Sequence, residues 1–201
     1  MSIIVFLRHG QTDWNVKSVT QGREDIPLNE QGIKQAQQAS SDLAYALKKT
    51  GFTFSKIYTS PLCRASDTAN MVSKAIDNIP VIIDDRLIER DFGNLSGMYY
   101  DKNSPTVLRD TDDPTVETKQ SLINRVNSLI SDIPKNENVL FVTHGAITRI
   151  YAMNAKKSDR VSENDIGIMA NCSLVVYSYD GKEAILIGYD IPPKSFNVEE
   201  L

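Results

Sequence analysis

Apolar residues along the chain follow two alternating spacings. Five short runs are continuous or nearly so: Ile-Ile-Val-Phe-Leu at 3–7, Lys-Ile-Tyr-Thr-Ser at 56–60, Val-Leu-Phe-Val-Thr at 139–143, Ser-Leu-Val-Val-Tyr-Ser-Tyr at 173–179 and Ala-Ile-Leu-Ile-Gly-Tyr at 184–189. Their β-branched and aromatic content and their polar or turn-forming boundaries predict strands. Between them, apolar residues recur at the three- and four-residue steps of one helix face: Ile33, Ala36, Leu43 and Leu47; Leu62, Ala65, Ala69, Val72 and Ile76; Leu122, Val126, Leu129 and Ile133. Strands alternating with helices predict an α/β fold, with a mainly parallel sheet covered by helices on both faces. The turn Asp180-Gly181-Lys182-Glu183 joins the last two runs as a hairpin, which adds an antiparallel edge strand. The pattern reads as one domain over 1–201. A single stretch, 93–117, breaks the rhythm with glycines, prolines and no period, and is a candidate lid-like insertion.

Open α/β sheets bind ligands beyond the carboxyl ends of their strands. The chain has only two histidines, and both stand there: His9 follows the first run inside Arg8-His9-Gly10, and His144 follows the third, before Gly145. Gly10 suits a sharp turn or a close approach. In Ser60-Pro61-Leu62-Cys63-Arg64 the next strand passes into a helix, with Ser60 as N-cap, Pro61 at the first helical position and Arg64 one turn in. Arg8 and Arg64 bring forked guanidinium donors suited to phosphate.

Charge sharpens this picture. The net charge is -4, so any anionic ligand must be held by local cations. A chain of this sign excludes binding driven by a broad basic surface, so no nucleic-acid or membrane partner is expected. The first apolar stretch stops at Arg8, far short of a signal peptide or a membrane span, and the expected location is cytoplasmic. Cys63 and Cys172 have neither disulfide nor metal spacing and read as packing residues.

The segments Leu-Arg-His-Gly-Gln-Thr-Asp-Trp-Asn at 7–15, Gly-Arg-Glu-Asp-Ile-Pro-Leu-Asn-Glu-Gln-Gly at 22–32, the Ser-Pro-Leu-x-Arg stretch, Arg-Leu-Ile-Glu-Arg-Asp-Phe-Gly at 86–93, Val-Thr-His-Gly at 142–145 and Ala-Asn-Cys-Ser at 170–173 together resemble the histidine phosphatase superfamily, with its phosphoglycerate mutase-like fold. The resemblance covers nearly the whole chain. It implies that His9 is a nucleophile forming a phosphohistidine, that Arg8, Arg64 and His144 complete the phosphate pocket, and that Asn15 contacts phosphoryl oxygens. It further implies Glu89 as general acid and base, and Gln21 and Gly22 as a loop bordering the substrate. No cofactor and no metal are expected; the implied partner is a small phosphorylated metabolite, and a homo-oligomer is left open.

Two reactions fit the resemblance. Mutases of the family carry a longer, more basic insertion after the acid. Here 93–117 is short and acidic, with Asp101, Asp110, Asp112 and Asp113 against Lys102 and Arg109, which favours hydrolysis of a small phosphomonoester. Arg90, directly after Glu89, resembles the mutase pattern and is a candidate for holding a second anionic group, although Phe92 replaces a tyrosine common there and Ser96 an acidic residue common in phosphatases. A catalytically idle binding module would have lost His9, Glu89 or His144, and all three are present.

Overall fold

A computed structural model describes residues 1–100 and 111–200; the expected insertion therefore lies partly outside the described residues, including Asp101, Lys102, Arg109 and Asp110. Among the described residues seven strands form one sheet: β1 (Ser2–Arg8), β2 (Lys56–Thr59), β3 (Val81–Ile83), β4 (Val139–Thr143), β5 (Lys156–Lys157), β6 (Leu174–Tyr179) and β7 (Ala184–Ile191), in the order β3-β2-β4-β1-β6-β7-β5. The β1–β4, β2–β4, β2–β3 and β5–β7 pairs are parallel; β6 pairs antiparallel with β1 and, through the expected hairpin, with β7. The reversed strand is thus β6, with β7 and the two-residue β5 outside it.

Alternation along the strands divides the core. Ile4 and Phe6 of β1, Val139 and Phe141 of β4, and Val175 and Tyr177 of β6 pack with α4 (Lys119–Ser131) and α5 (Gly145–Asn154) on one face. Ile3, Val5 and Leu7, Leu140 and Val142, and Leu174 and Val176 pack with α2 (Glu30–Thr50) and α3 (Cys63–Ala75) on the other. Both faces are covered, which is why β1 and β4 read as unbroken apolar runs.

Local chemistry sets the helix ends. Asn29 caps α2 by accepting from the Gly32 amide at 2.8 Å, and Gly51 closes it at φ 70°. Thr118 caps α4 through the Ser121 amide at 3.1 Å. On α2 the buried face is Ala36, Ala39, Leu43 and Leu47, whereas Ile33, expected on it, is exposed. Ile33 lies in the first turn, where the neighbouring Gly32, not Ile33, is the buried residue that meets the Gln11 backbone.

The expected cap of α3 is also corrected. The helix starts at Cys63 behind Leu62, so Pro61 precedes the helix and Arg64 is its second residue. The Ser60 hydroxyl lies against the His144 ring and accepts from the Leu62 amide at 3.3 Å, while the helix's first amide, of Cys63, donates to the Asp25 carboxylate at 2.7 Å. A carboxylate from another loop does the capping.

Candidate active site

Sheet register brings the two histidines together. Arg8 of β1 is paired with Thr143 of β4, and the ladder runs one step further, with the His9 amide donating to the Thr143 carbonyl at 3.0 Å. The next residues on adjacent parallel strands, His9 and His144, therefore leave the sheet side by side, and their rings meet edge to face at a centroid separation of 5.1 Å. Ser60 follows β2 on the far side of β4, its amide donating to the Val142 carbonyl, and its hydroxyl is 2.7 Å from His144 Nε2. The approach from β6 finishes the cluster: the Cys172 amide donates to the Arg8 carbonyl and the Asn171 side chain to the His9 carbonyl, each at 3.0 Å.

The protonation of His9 follows from its partner. Nδ1 lies 2.6 Å from the Gly10 carbonyl, which can only accept, so Nδ1 carries the hydrogen and Nε2 keeps its lone pair. Burial, then the charges of Arg64 and Arg8, hold the His9 pKa well below the ordinary histidine value, and the neutral ring is the stable form. His144 is depressed in the same way, by burial first and Arg64 second.

Gly10 serves packing rather than a turn. A Cβ there would run into the Gly32 carbonyl, and one on Gly32 into that of Gln11. The loop after β1 thus lies directly on the first turn of α2, and this contact fixes where His9 points.

A cavity opens at this end of the sheet, lined by Arg8, His9, Asn15, Gln21, Gly22, Glu89 and Arg90 of the expected site residues, and also by Phe92, Tyr100, Arg149 and Ile168. Arg64 and His144 are not on its wall; both are fully buried beyond it, against His9. Arg64 donates to the carbonyls of Gly22 at 2.9 Å and Glu24 at 2.7 Å, tying the 21–24 loop to α3, and Gly22 holds that loop at φ 52°. Arg8 donates to the Met169 carbonyl and packs against Gly145, where a Cβ would stand 3.3 Å from its Nε. Asn15 spends its side-chain oxygen on Thr12, which leaves its NH2 to donate; Gln21 accepts from the Thr12 hydroxyl at 2.9 Å.

Glu89 is buried and held by two amides, Arg90 N at 2.8 Å and Ala146 N at 3.2 Å, the latter in the first turn of α5. Arg90 is committed elsewhere: its Nε donates to the Glu117 carbonyl at 2.8 Å and its guanidinium lies 5.5 Å above the Phe92 ring. Glu117 in turn binds Arg125 at 2.8 Å, so both roots of the 93–117 segment are stapled to α4.

Unpartnered buried donors are rare in folded proteins. Seven buried side-chain atoms have no partner among the described residues, and five of them, Arg8 Nε, Thr20 Oγ1, Arg64 Nε, Arg149 Nε and His144 Nδ1, lie in or next to this cavity. All five are donors or can become so, and together they describe a place for an anion. The thiols stand apart from this chemistry: burial pushes Cys63 up to about 11 and Cys172 up to about 12. Among the described residues, no group of three or more His, Cys, Asp or Glu is placed to hold a metal ion, and no helix is long and apolar enough to cross a membrane.

A family model described as histidine phosphatase superfamily (branch 1) matches residues 4–191. The chain belongs to the histidine phosphatase superfamily. Within the superfamily it is 33% identical over 149 residues to the uncharacterized phosphatase PhoE of Bacillus subtilis (strain 168), covering 73% of each chain. It is 30% identical over 202 residues to the 2,3-bisphosphoglycerate-dependent phosphoglycerate mutase of Parvibaculum lavamentivorans, covering 92% of this chain and 94% of the mutase. Among solved structures, the mycobacterial glucosyl-3-phosphoglycerate phosphatase complexed with VO3 superimposes with a TM-score of 0.74 at 25% identity, over 95% of this chain and all of that one. Histidine phosphatase relatives of both kinds, phosphatase and mutase, therefore share this fold.

Proposed function

We propose that the protein is a metal-independent phosphatase of small phosphomonoesters that works through a phosphohistidine on His9. The observation that carries the reading is the His9 tautomer: a buried, neutral imidazole whose Nδ1–H is fixed on the Gly10 carbonyl presents the Nε2 lone pair as nucleophile. Nε2 attacks phosphorus, forming an N–P bond as the P–O bond to the alcohol breaks. Arg8 and the Asn15 amide on the cavity wall, backed by Arg64 and His144 in the buried layer behind it, stabilise the charge on the three equatorial oxygens, which is most of what phosphoryl transfer asks of a protein. Glu89 protonates the departing oxygen, then accepts a proton from the water that attacks the phosphohistidine and releases inorganic phosphate.

The second reading is a mutase, favoured by the 30% identity to a phosphoglycerate mutase over nearly the whole chain. Against it, Arg90 already has the Glu117 carbonyl and the Phe92 ring as partners. A matched assay with 3-phosphoglycerate, primed with 2,3-bisphosphoglycerate, follows inorganic phosphate and 2-phosphoglycerate together, in chelator. Phosphate release far above isomer formation, with an acid-labile phosphoenzyme lost in His9→Ala, supports the phosphatase; isomer formation outrunning release makes it a mutase, and activity that chelator abolishes and a divalent ion restores removes the metal-free step.

A further inference from the structure

Ser60, which does not cap α3, is fully buried just beyond β2. It and His9 flank β4 from opposite sides, and the His144 ring meets both: Nε2 lies 2.7 Å from the Ser60 hydroxyl, and the ring centroid 5.1 Å from that of His9. Among the described residues the partners of the Ser60 hydroxyl are His144 Nε2 and the Leu62 amide at 3.3 Å. The amide can only donate, so the hydroxyl hydrogen has Nε2 as its acceptor.

That hydrogen decides the form of the ring. Burial keeps His144 neutral, with one N–H, and a Nε2 that accepts from Ser60 leaves the hydrogen on Nδ1. The reverse arrangement, with Nε2 donating, would leave two buried groups unsatisfied, the hydroxyl hydrogen and the Nδ1 lone pair, where this one leaves a single N–H. Nδ1 is buried and has no partner among the described residues. An unpaired N–H on a ring in contact with His9 suits an anionic oxygen, and a phosphoryl group bonded to His9 Nε2 brings its oxygens within reach of that ring.

We propose that Ser60 is a positioning residue: its hydroxyl donates to His144 Nε2 and so holds the ring in the tautomer whose Nδ1–H is offered to the phosphoryl group. The assignment rests on that group being received at His9. The two histidines then carry the same tautomer for opposite tasks. On His9 a backbone carbonyl takes the Nδ1–H and frees a lone pair; on His144 a hydroxyl takes the lone pair and frees an Nδ1–H.

Because the chain has only two histidines, long-range proton–nitrogen correlation spectra of the isotopically labelled protein read both tautomers directly. Above neutral pH, both rings should show the hydrogen on Nδ1 and the lone pair on Nε2. In Ser60→Ala the His9 signals should stay, while His144 moves its hydrogen to Nε2 or divides between the two forms. Ser60→Thr, which keeps the hydroxyl, should keep the original form, and with the unmodified protein it decides the matter if Ser60→Ala does not fold. Orthovanadate at saturation should shift the His144 Nδ1–H resonance, and Ser60→Ala should bind it about 10- to 100-fold more weakly, the share of one hydrogen bond to a charged group. A His144 hydrogen on Nε2 in the unmodified protein, a tautomer indifferent to Ser60→Ala, or bound orthovanadate that leaves the Nδ1–H resonance in place overturns the proposal. A protein that gives the expected spectra with orthovanadate yet forms no phosphohistidine would sink the catalytic reading and leave the role of Ser60 standing.

Discussion

One hydrogen bond, from His9 Nδ1 to the carbonyl of its own neighbour, decides which nitrogen can attack a phosphorus atom. The buried arginines that favour a neutral ring are the same groups that the proposed reaction offers to the phosphate, so in that reading a single arrangement would prepare the nucleophile and receive the charge. Glu89 is separable from this. Only a poor leaving group needs a proton, so Glu89→Gln should lower kcat/KM for an alkyl phosphate by about 100-fold or more, and for an aryl phosphate by less than about tenfold. Equal losses on both substrates would mean that Glu89 acts otherwise than as the acid. Of the residues that the motifs marked, Arg8, His9, Asn15, Gln21, Gly22, Glu89 and Arg90 line one cavity, whereas Arg64 and His144 are buried beyond it. Arg149 was invisible because nothing in Ile-Thr-Arg-Ile marks an arginine whose helix face happens to look into a cavity. Ser60 misled because a serine before proline is a common helix start, and only the folded chain shows its hydroxyl already engaged by His144.

Among the elements, the contact between the loop after β1 and the first turn of α2 bears the tightest constraint. Gly32→Ala would drive a methyl group into the Gln11 carbonyl. The backbone must yield, and the expected cost is about 2–4 kcal/mol in urea unfolding, together with a fall in activity, since Gln11 lies two residues from His9. A stability equal to that of the unmodified protein would show that the loop can move away freely. The strands that could be read in advance are those buried on both faces, β1, β4 and β6, together with β2 and the hairpin strand β7. The two that could not are short and poorly covered: β3 has three residues with Ile82 and Ile83 exposed, and β5 is a pair of lysines. Helix α5 was also missed, because Ile147, Thr148, Ile150, Tyr151 and Ala152 are all buried, which blurs the one-sided periodicity that reveals a helix.

For the molecule as a whole, two buried neutral histidines make stability depend on pH. Both have folded pKa values well below the ordinary 6.5, so their contribution is complete above that value and is lost as pH falls, because the unfolded chain takes up protons that the folded one refuses. Urea unfolding should lose up to about 2.7 kcal/mol per pH unit below 6.5 from the pair, and about half of that slope should disappear in His144→Asn. A flat profile from pH 7 to 5 would contradict the depressed values. The same whole-molecule view bears on β1. Its partners are β4 and β6, both from the last third of the chain, and roughly 130 residues separate it from the nearer one. At about 5–20 residues per second on a ribosome, Ile-Ile-Val-Phe-Leu is an unpaired apolar strand for many seconds before a neighbour exists. The segment that runs into His9 is thus also the one that waits longest during synthesis for a strand to pair with.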